Sequence, residues 1–200
     1  MKNAIISIGE SVHASIPKTG KRMQELVEQG ASAYTEESAA LDYIRGLIES
    51  QADDGADYIA VNLDAFGEQD QAVTVALMIE YVRLVRKWSK GVPICIDSSS
   101  DDVLMAGLKE WYNTTDSVPA PLLNSVKTYT THTILPLRQH YDFSFIGLLV
   151  GEEVSAQAGG SYSVDQLYAM AKEIFQAAVQ QGFKPKQMFF DSTVFPLAID

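Results

Sequence analysis

Short, largely apolar runs recur along this chain, each separated from the next by a stretch with helical character. No other feature limits its possible folds so strongly. The runs are Ala4–Ile8, Tyr58–Leu63, Pro93–Ile96, Pro121–Val126, Phe143–Val150 and Gln187–Asp191. A strand with one wet face alternates apolar and polar residues, whereas an unbroken apolar run is covered on both faces. The intervening helices are predicted over Lys21–Gln29 and Glu36–Ala52, the latter with Thr35 as N-cap and Glu37 and Ser38 in its first turn. Further helices are predicted over Ala72–Trp88, through Val75, Met78, Ile79, Val82 and Val85, over Asp101–Trp111, near Thr131–His140, and over Ser163–Gln181, where Gly182 stops the last one. Strands alternating with helices imply an α/β fold with a parallel sheet. Two architectures satisfy the pattern, a Rossmann-like open sheet and a (β/α) barrel of the TIM type. Periodicity does not choose between them, although no G-x-G-x-x-G follows the first strand, which weakens a dinucleotide reading.

Composition narrows the function classes. At 200 residues, 46% apolar and 20% charged, the chain is long enough for one large domain with a sizeable core. Its net charge of −11 argues against nucleic acid, which needs clustered Lys and Arg. The densest basic stretch, Arg83 to Lys90, lies in a helical pattern and reads as a solvated face or a local anion contact. The single cysteine, Cys95, sits in an apolar run and reads as a buried, inert thiol. The three histidines, His13, His132 and His140, are too scattered for a structural zinc site, and no metal site is expected. No apolar run approaches the ~20 residues of a membrane span. A cytoplasmic protein with no membrane attachment is expected.

Polar residues gather where the apolar runs end. The first run ends in Gly9-Glu10, the second in Asn62-Leu63-Asp64, the third in Asp97-Ser98-Ser99-Ser100; the fourth carries Asn124-Ser125 and the sixth ends in Asp191-Ser192. In a parallel barrel all such ends face one mouth, so Asn62, Asp97, Asn124 and Asp191 are expected at a common cavity. Each has a plainer reading. Asp97 can serve the loop and cap of the next helix, Asn62 can fix a turn, and Asn124 and Asp191 can have structural partners. Their coincidence is more informative than any one of them.

These segments resemble the pterin-binding barrels of the methyltetrahydrofolate methyltransferases, which include corrinoid-protein methyltransferases and the folate domain of cobalamin-dependent methionine synthase. The resemblance runs through Ile8-Gly9-Glu10, Gly55-Ala56-Asp57 into Val61-Asn62-Leu63-Asp64, Pro93 to Ser99 with Ala106-Gly107-Leu108, Leu122-Leu123-Asn124-Ser125-Val126, Ile146-Gly147-Leu148, and Phe190-Asp191 with Phe195-Pro196. It implies Asp97, Asn124 and Asp191 as pterin ligands, with Asn62 beside them. The chemistry agrees, since a pterin edge offers ring N–H and amine donors next to a carbonyl, which carboxylates and an amide complement. The resemblance also implies transfer of the N5-methyl group of methyltetrahydrofolate to a cobalamin or other corrinoid on a partner protein. Dihydropteroate synthase is the runner-up, but its N-x-T-P-D-S-F segment is replaced by Ser11 to Pro17. A non-catalytic pterin-barrel module and an unrelated nucleotide-binding sheet are the other readings.

The chain departs from the family at Ser11, where an Arg is frequent, at Ala60, where an Asp is common, and at Ser192, where a Pro is usual. About six βα units are legible over residues 1–200, fewer than the eight of a barrel that usually takes ~250 residues. Open strand edges and exposed helix surface are therefore expected, and with them a homodimer. The departing nitrogen also needs a proton, and the sequence offers no evident acid for it.

Overall fold

The computed structural model describes residues 5–67, 70–151 and 162–193. The chain divides into two compact units, Met1–Leu122 and Leu123–Asp200.

In the first unit, β1 (Ile8–His13) leads through α1 (Pro17–Gln29), a 3-10 turn (Ala31–Tyr34) and α2 (Ala39–Asp53) to β2 (Tyr58–Asn62). A 3-10 turn (Asp64–Phe66) and α3 (Gln71–Trp88) follow, then β3 (Ile94–Asp97) and α4 (Asp101–Trp111). The strands lie in the order β1-β2-β3 and pair in parallel. A doubly wound sheet would put β1 inside the order, where the sequence of strands reverses. Sequential order is instead that of a (β/α) barrel wall. Val12, Ile59, Val61, Ile94 and Ile96 are fully buried on the strands, as are Met23 and Leu26 of α1, Ile44 and Ile48 of α2, and Met78 and Val82 of α3.

Local chemistry sets the helix limits. Pro17 occupies the first turn of α1, where its missing N–H costs nothing. Ser38, and not Thr35, caps α2, its hydroxyl accepting from the Leu41 N–H at 3.1 Å. Asp70 caps α3 through the Ala72 N–H at 2.9 Å. The basic stretch on α3 braces α4: Arg83 Nε donates to Glu110 at 2.8 Å, and Arg86 reaches the carbonyls of Glu110 and Trp111. Burial opposes the charge on Glu110, but hydrogen bonds from Arg83, Asn113 and Arg86 outweigh it and hold the carboxyl below its ordinary range. Cys95 is buried, and desolvation raises its thiol well above the usual range, the behaviour of an inert thiol.

The first strand differs from the expectation. Of the apolar run Ala4–Ile8, Ala4 lies outside the described residues, while Ile5 and Ile6 are 89% and 41% exposed. The strand is instead the following, more polar segment, because that is where the partner groups of β2 are found.

In the second unit, β4 (Leu122–Val126) is followed by a 3-10 turn (Thr128–Thr130), α5 (Thr131–Ile134) and a second 3-10 turn (Leu135–Gln139). Then come β5 (Ser144–Leu148), α6 (Val164–Gln180), a short turn (Pro185–Gln187) and β6 (Met188–Asp191). The strand order is β4-β5-β6, with β5 and β6 parallel. The helix expected near Thr131–His140 is one α-turn continued as 3-10, since Pro136 lacks the N–H that would bond four residues back. A capping box starts α6: the Gln166 N–H donates to Ser163 Oγ at 3.3 Å and the Ser163 N–H to Gln166 Oε1 at 2.8 Å. Gly182, at φ 84°, ends the helix as expected. Phe183 packs edge-on against Phe143 and Phe145, with centroids 5.0 and 5.1 Å away. On the outside of α6, Val164, Tyr168, Phe175 and Val179 form an exposed apolar stripe, and Phe190 of β6 is also exposed. No helix among the described residues is long and apolar enough to cross a membrane.

Candidate functional site

The polar mouth of the first unit begins with an irregularity in β1. Gly9 pairs with Ile59, but the next matched residues are Val12 with Val61 and His13 with Asn62, so β1 carries one extra residue. Such a bulge interrupts the ladder and leaves backbone groups to be satisfied elsewhere. Here the helices supply them. The Ser11 N–H donates to Gln51 Oε1 of α2 at 2.9 Å, and Thr19 Oγ1 of α1 donates to the Ser11 carbonyl at 3.2 Å. Gln51 is itself buried and donates from Nε2 to the Leu47 carbonyl at 2.9 Å. Gly9 makes room for it, because a Cβ at that position would lie 2.5 Å from Gln51 Oε1.

The bulge brings His13 level with Asn62, which in turn is level with Asp97. Residues matched in a parallel pair project to the same face of the sheet, so the three side chains form one row across the ends of β1, β2 and β3. The ring of His13 is oriented from behind. Its Nδ1 accepts from the Ser15 N–H at 3.2 Å and lies 2.9 Å from Ser15 Oγ. An Nδ1 that accepts from a backbone N–H leaves the ring proton on Nε2. Asn62 Oδ1 accepts from the Asp64 N–H at 3.1 Å, which fixes the turn that follows β2. Its amide lies beside Asp97 and favours the ionised form of that carboxyl.

Asp97 is the carboxyl of this row, and it is perturbed. Burial raises it above the ordinary range, the Asn62 hydrogen bond and the His13 charge act in the opposite sense, and the nearby Asp64 and Glu10 raise it further. Asp64 is held by the β3–α4 loop: Ser98 Oγ donates to it at 2.6 Å and the Ser99 N–H at 2.8 Å. Beside this loop lies a cleft of about 330 Å³, lined by Asp64, Gly67, Gln71, Thr74, Ser99, Ser100 and Val103. The arrangement offers fixed acceptors at Asp97 and Asp64 and a fixed donor at His13.

Of the four residues singled out from sequence, Asn62 and Asp97 are thus brought together. Asn124 lies in the second unit, half-buried in the middle of β4 between the buried Leu123 and Ser125. Asp191 ends β6, level with Leu148 of β5, with an exposed side chain whose Oδ1 accepts from the Thr193 N–H at 2.7 Å. Phe195-Pro196 lies outside the described residues. His13 went unrecognised in the sequence because a strand ending at Gly9-Glu10 leaves it in a loop; the signal that marks it is the register of β1, which a sequence does not print.

A family model of the pterin binding enzymes matches residues 24–198, so the chain belongs to that family. No curated protein matches the chain.

Proposed function

We propose that this pterin-binding enzyme is a methyltransferase, moving the N5-methyl group of methyltetrahydrofolate to a cobalamin or other corrinoid carried by a partner protein. The pterin ligands in this reading are Asn62, Asp97, Asn124 and Asp191. The observation that carries it is the Asn62–Asp97 pair at the ends of adjacent parallel strands, with Asp97 desolvated and its carboxyl raised. A carboxyl held in that state gains most from a ligand that donates hydrogen bonds, which the ring N–H and amine of a pterin do. Methyl transfer adds few covalent duties for the protein. It must hold the pterin, orient the methyl group and stabilise charge on the departing nitrogen. The reading is of a cytoplasmic homodimer, for which the exposed apolar stripe on α6 offers a contact surface.

Titration calorimetry of the full chain with methyltetrahydrofolate tests the site. Asn124→Ala leaves a pterin group unpaired and weakens binding by about 1–3 kcal/mol. Asp97→Asn turns an acceptor into a donor facing a donor and weakens it as well. Binding by both variants equal to that of the unaltered chain would sink the assignment. Decay of cob(I)alamin absorbance on mixing with enzyme and methyltetrahydrofolate reads the transfer itself.

A further inference from the structure

We propose that the cleft between α3 and α4 is a binding subsite for a neutral primary carboxamide group, held beside the pterin row by Asp64, Gln71, Thr74 and Ser100. These residues, with Gly67 and Ser99, line a space of about 330 Å³. It lies wholly within the first unit. Asp64 joins it to the row, since the Asp64 N–H donates to Asn62 Oδ1 at 3.1 Å.

The hydroxyl of Thr74 is the observation that points to a ligand. Thr74 is 2% exposed, lines the cleft, and has its Oγ1 buried without a hydrogen-bond partner. An unpaired buried hydroxyl destabilises a fold, so one kept on a cleft wall calls for a partner from outside the chain. Gly67 leaves it uncovered, because a Cβ there would lie 2.7 Å from Thr74 Oγ1. With φ at −84°, Gly67 needs no special backbone freedom; the position uses its missing side chain.

The other groups complete the complement. Gln71 Nε2 donates to Ser100 Oγ and, at 3.4 Å, to Asp102 Oδ2. Gln71 Oε1 thus remains an acceptor, and the Ser100 hydroxyl keeps its own proton to donate. Asp64 accepts from Ser98 Oγ and the Ser99 N–H, and a carboxylate has room for further donors. Two acceptors and two hydroxyl donors match a primary carboxamide, which carries two N–H groups and a carbonyl with two lone pairs. Charge disfavours ions of either sign. Gln71 opens α3, and Ser100 precedes an α4 that has no side-chain cap. The partial positive charge of two helix ends opposes a cation, while Asp64 and Asp102 oppose an anion. In the methyl-transfer reading above the group comes from the corrinoid, whose ring bears primary carboxamide arms. That source rests on that reading; the preference for a carboxamide does not.

The test is a nitrogen–proton NMR titration of the full chain with propionamide, propionate and propylammonium. Propionamide is expected to shift the backbone amides of Gly67, Gln71, Ser99 and Ser100 to saturation, and the two ions are not. Equal shifts from either ion, or none from propionamide, would overturn the proposal. Thr74→Val keeps the shape and removes the hydroxyl. Its urea midpoint is expected to rise in the absence of ligand, while its affinity for propionamide falls about tenfold. A lowered midpoint, or an unchanged affinity, would show that the hydroxyl is not a ligand group. Gly67→Ala keeps the hydroxyl but covers it, and is expected to weaken propionamide about tenfold as well. Cyanocobalamin identifies the source. Shifts at the same amides that compete with propionamide assign the carboxamide to the corrinoid, whereas propionamide binding without cobalamin binding assigns it to a free small carboxamide. Folate takes no part in these titrations, so a chain that fails to bind methyltetrahydrofolate would sink the methyl-transfer reading and leave the cleft to be decided by its own shifts.

Discussion

The N–H of Ser11 in the β1 bulge is satisfied by one side chain, Gln51, and that makes the energetics of this bond separable. Gly9→Ala adds one methyl group at a position with no unusual backbone angle, so backbone strain adds nothing. Its Cβ would lie 2.5 Å from Oε1, 2.8 Å from Cδ and 3.0 Å from Cγ of Gln51, too close for the amide to stay. Displacing Gln51 breaks its bond to the Ser11 N–H and leaves a donor of the bulge unpaired, a loss of about 1–3 kcal/mol. Gln51→Ala breaks the same bond by truncation and so costs about the same, plus whatever packing the stem of the side chain provides. The two changes act on one interaction and cannot add. In Gly9→Ala/Gln51→Ala the new methyl enters space that Gln51 has vacated, so the double variant is no less stable than Gln51→Ala alone. The coupling energy is then close to the whole cost of Gly9→Ala, within the range of about 0.5–3 kcal/mol seen for residues in contact. Urea unfolding of the four proteins, with equal m-values, measures it. Additive losses would refute the reasoning, since Gly9 and Gln51 would then act on the fold independently.

Two other outcomes follow from the carboxyls. Burial raises Asp97 above the ordinary range, so the folded chain holds its proton more tightly than the unfolded chain; the resulting penalty is absent in acid, below the unfolded value, and grows as pH rises through the folded one. Asp97→Asn is therefore expected to raise stability at neutral pH by about 0.5–2 kcal/mol while weakening ligand binding, and thermal unfolding at pH 7 and in acid checks whether the gain fades. Glu110 is the opposite case: its carboxyl is held low, so its contribution is full above the unfolded value and is lost as pH falls through the folded one. Glu110→Gln is expected to cost about 1–3 kcal/mol at neutral pH and progressively less in acid, read from denaturation midpoints across pH.

Where local chemistry decided the structure, the sequence showed it. Asp101–Trp111 was legible to the residue because two acidic residues open it, favourable to a helix N-terminus, and Gly182 marked the end of α6 because its φ of 84° suits glycine. Periodicity left the strand order open between an open sheet and a barrel, but the placing of Asn62 and Asp97 at strand ends was legible from the apolar runs. The first strand was not. Ile5 and Ile6 imitate a buried strand, whereas the true strand carries Glu10, Ser11 and His13. Those polar residues are tolerated because Gln51 and Thr19, 40 and 8 residues away from Ser11 in sequence, satisfy its backbone. Periodicity has no access to partners at that distance.

The burial pattern of β1 explains why the extra residue is there. Continue the ladder from Gly9 and Ile59 without a bulge, and Ser11 falls opposite Val61 while Val12 falls opposite Asn62. That register would set a hydroxyl among the buried core residues of the strands and a valine side chain beside the amide and the carboxyl of Asn62 and Asp97. With the bulge, Val12 pairs with Val61, both fully buried, and His13 takes the polar end. Burying a valine is worth about 1.5–3 kcal/mol, of the same order as the backbone bond that Gln51 must restore to Ser11. The core preference of Val12 and the acceptor on Gln51 thus act together to select the bulged register. The position of His13 at the mouth is consequently set by an apolar neighbour and a helix side chain, neither of which reaches the site itself.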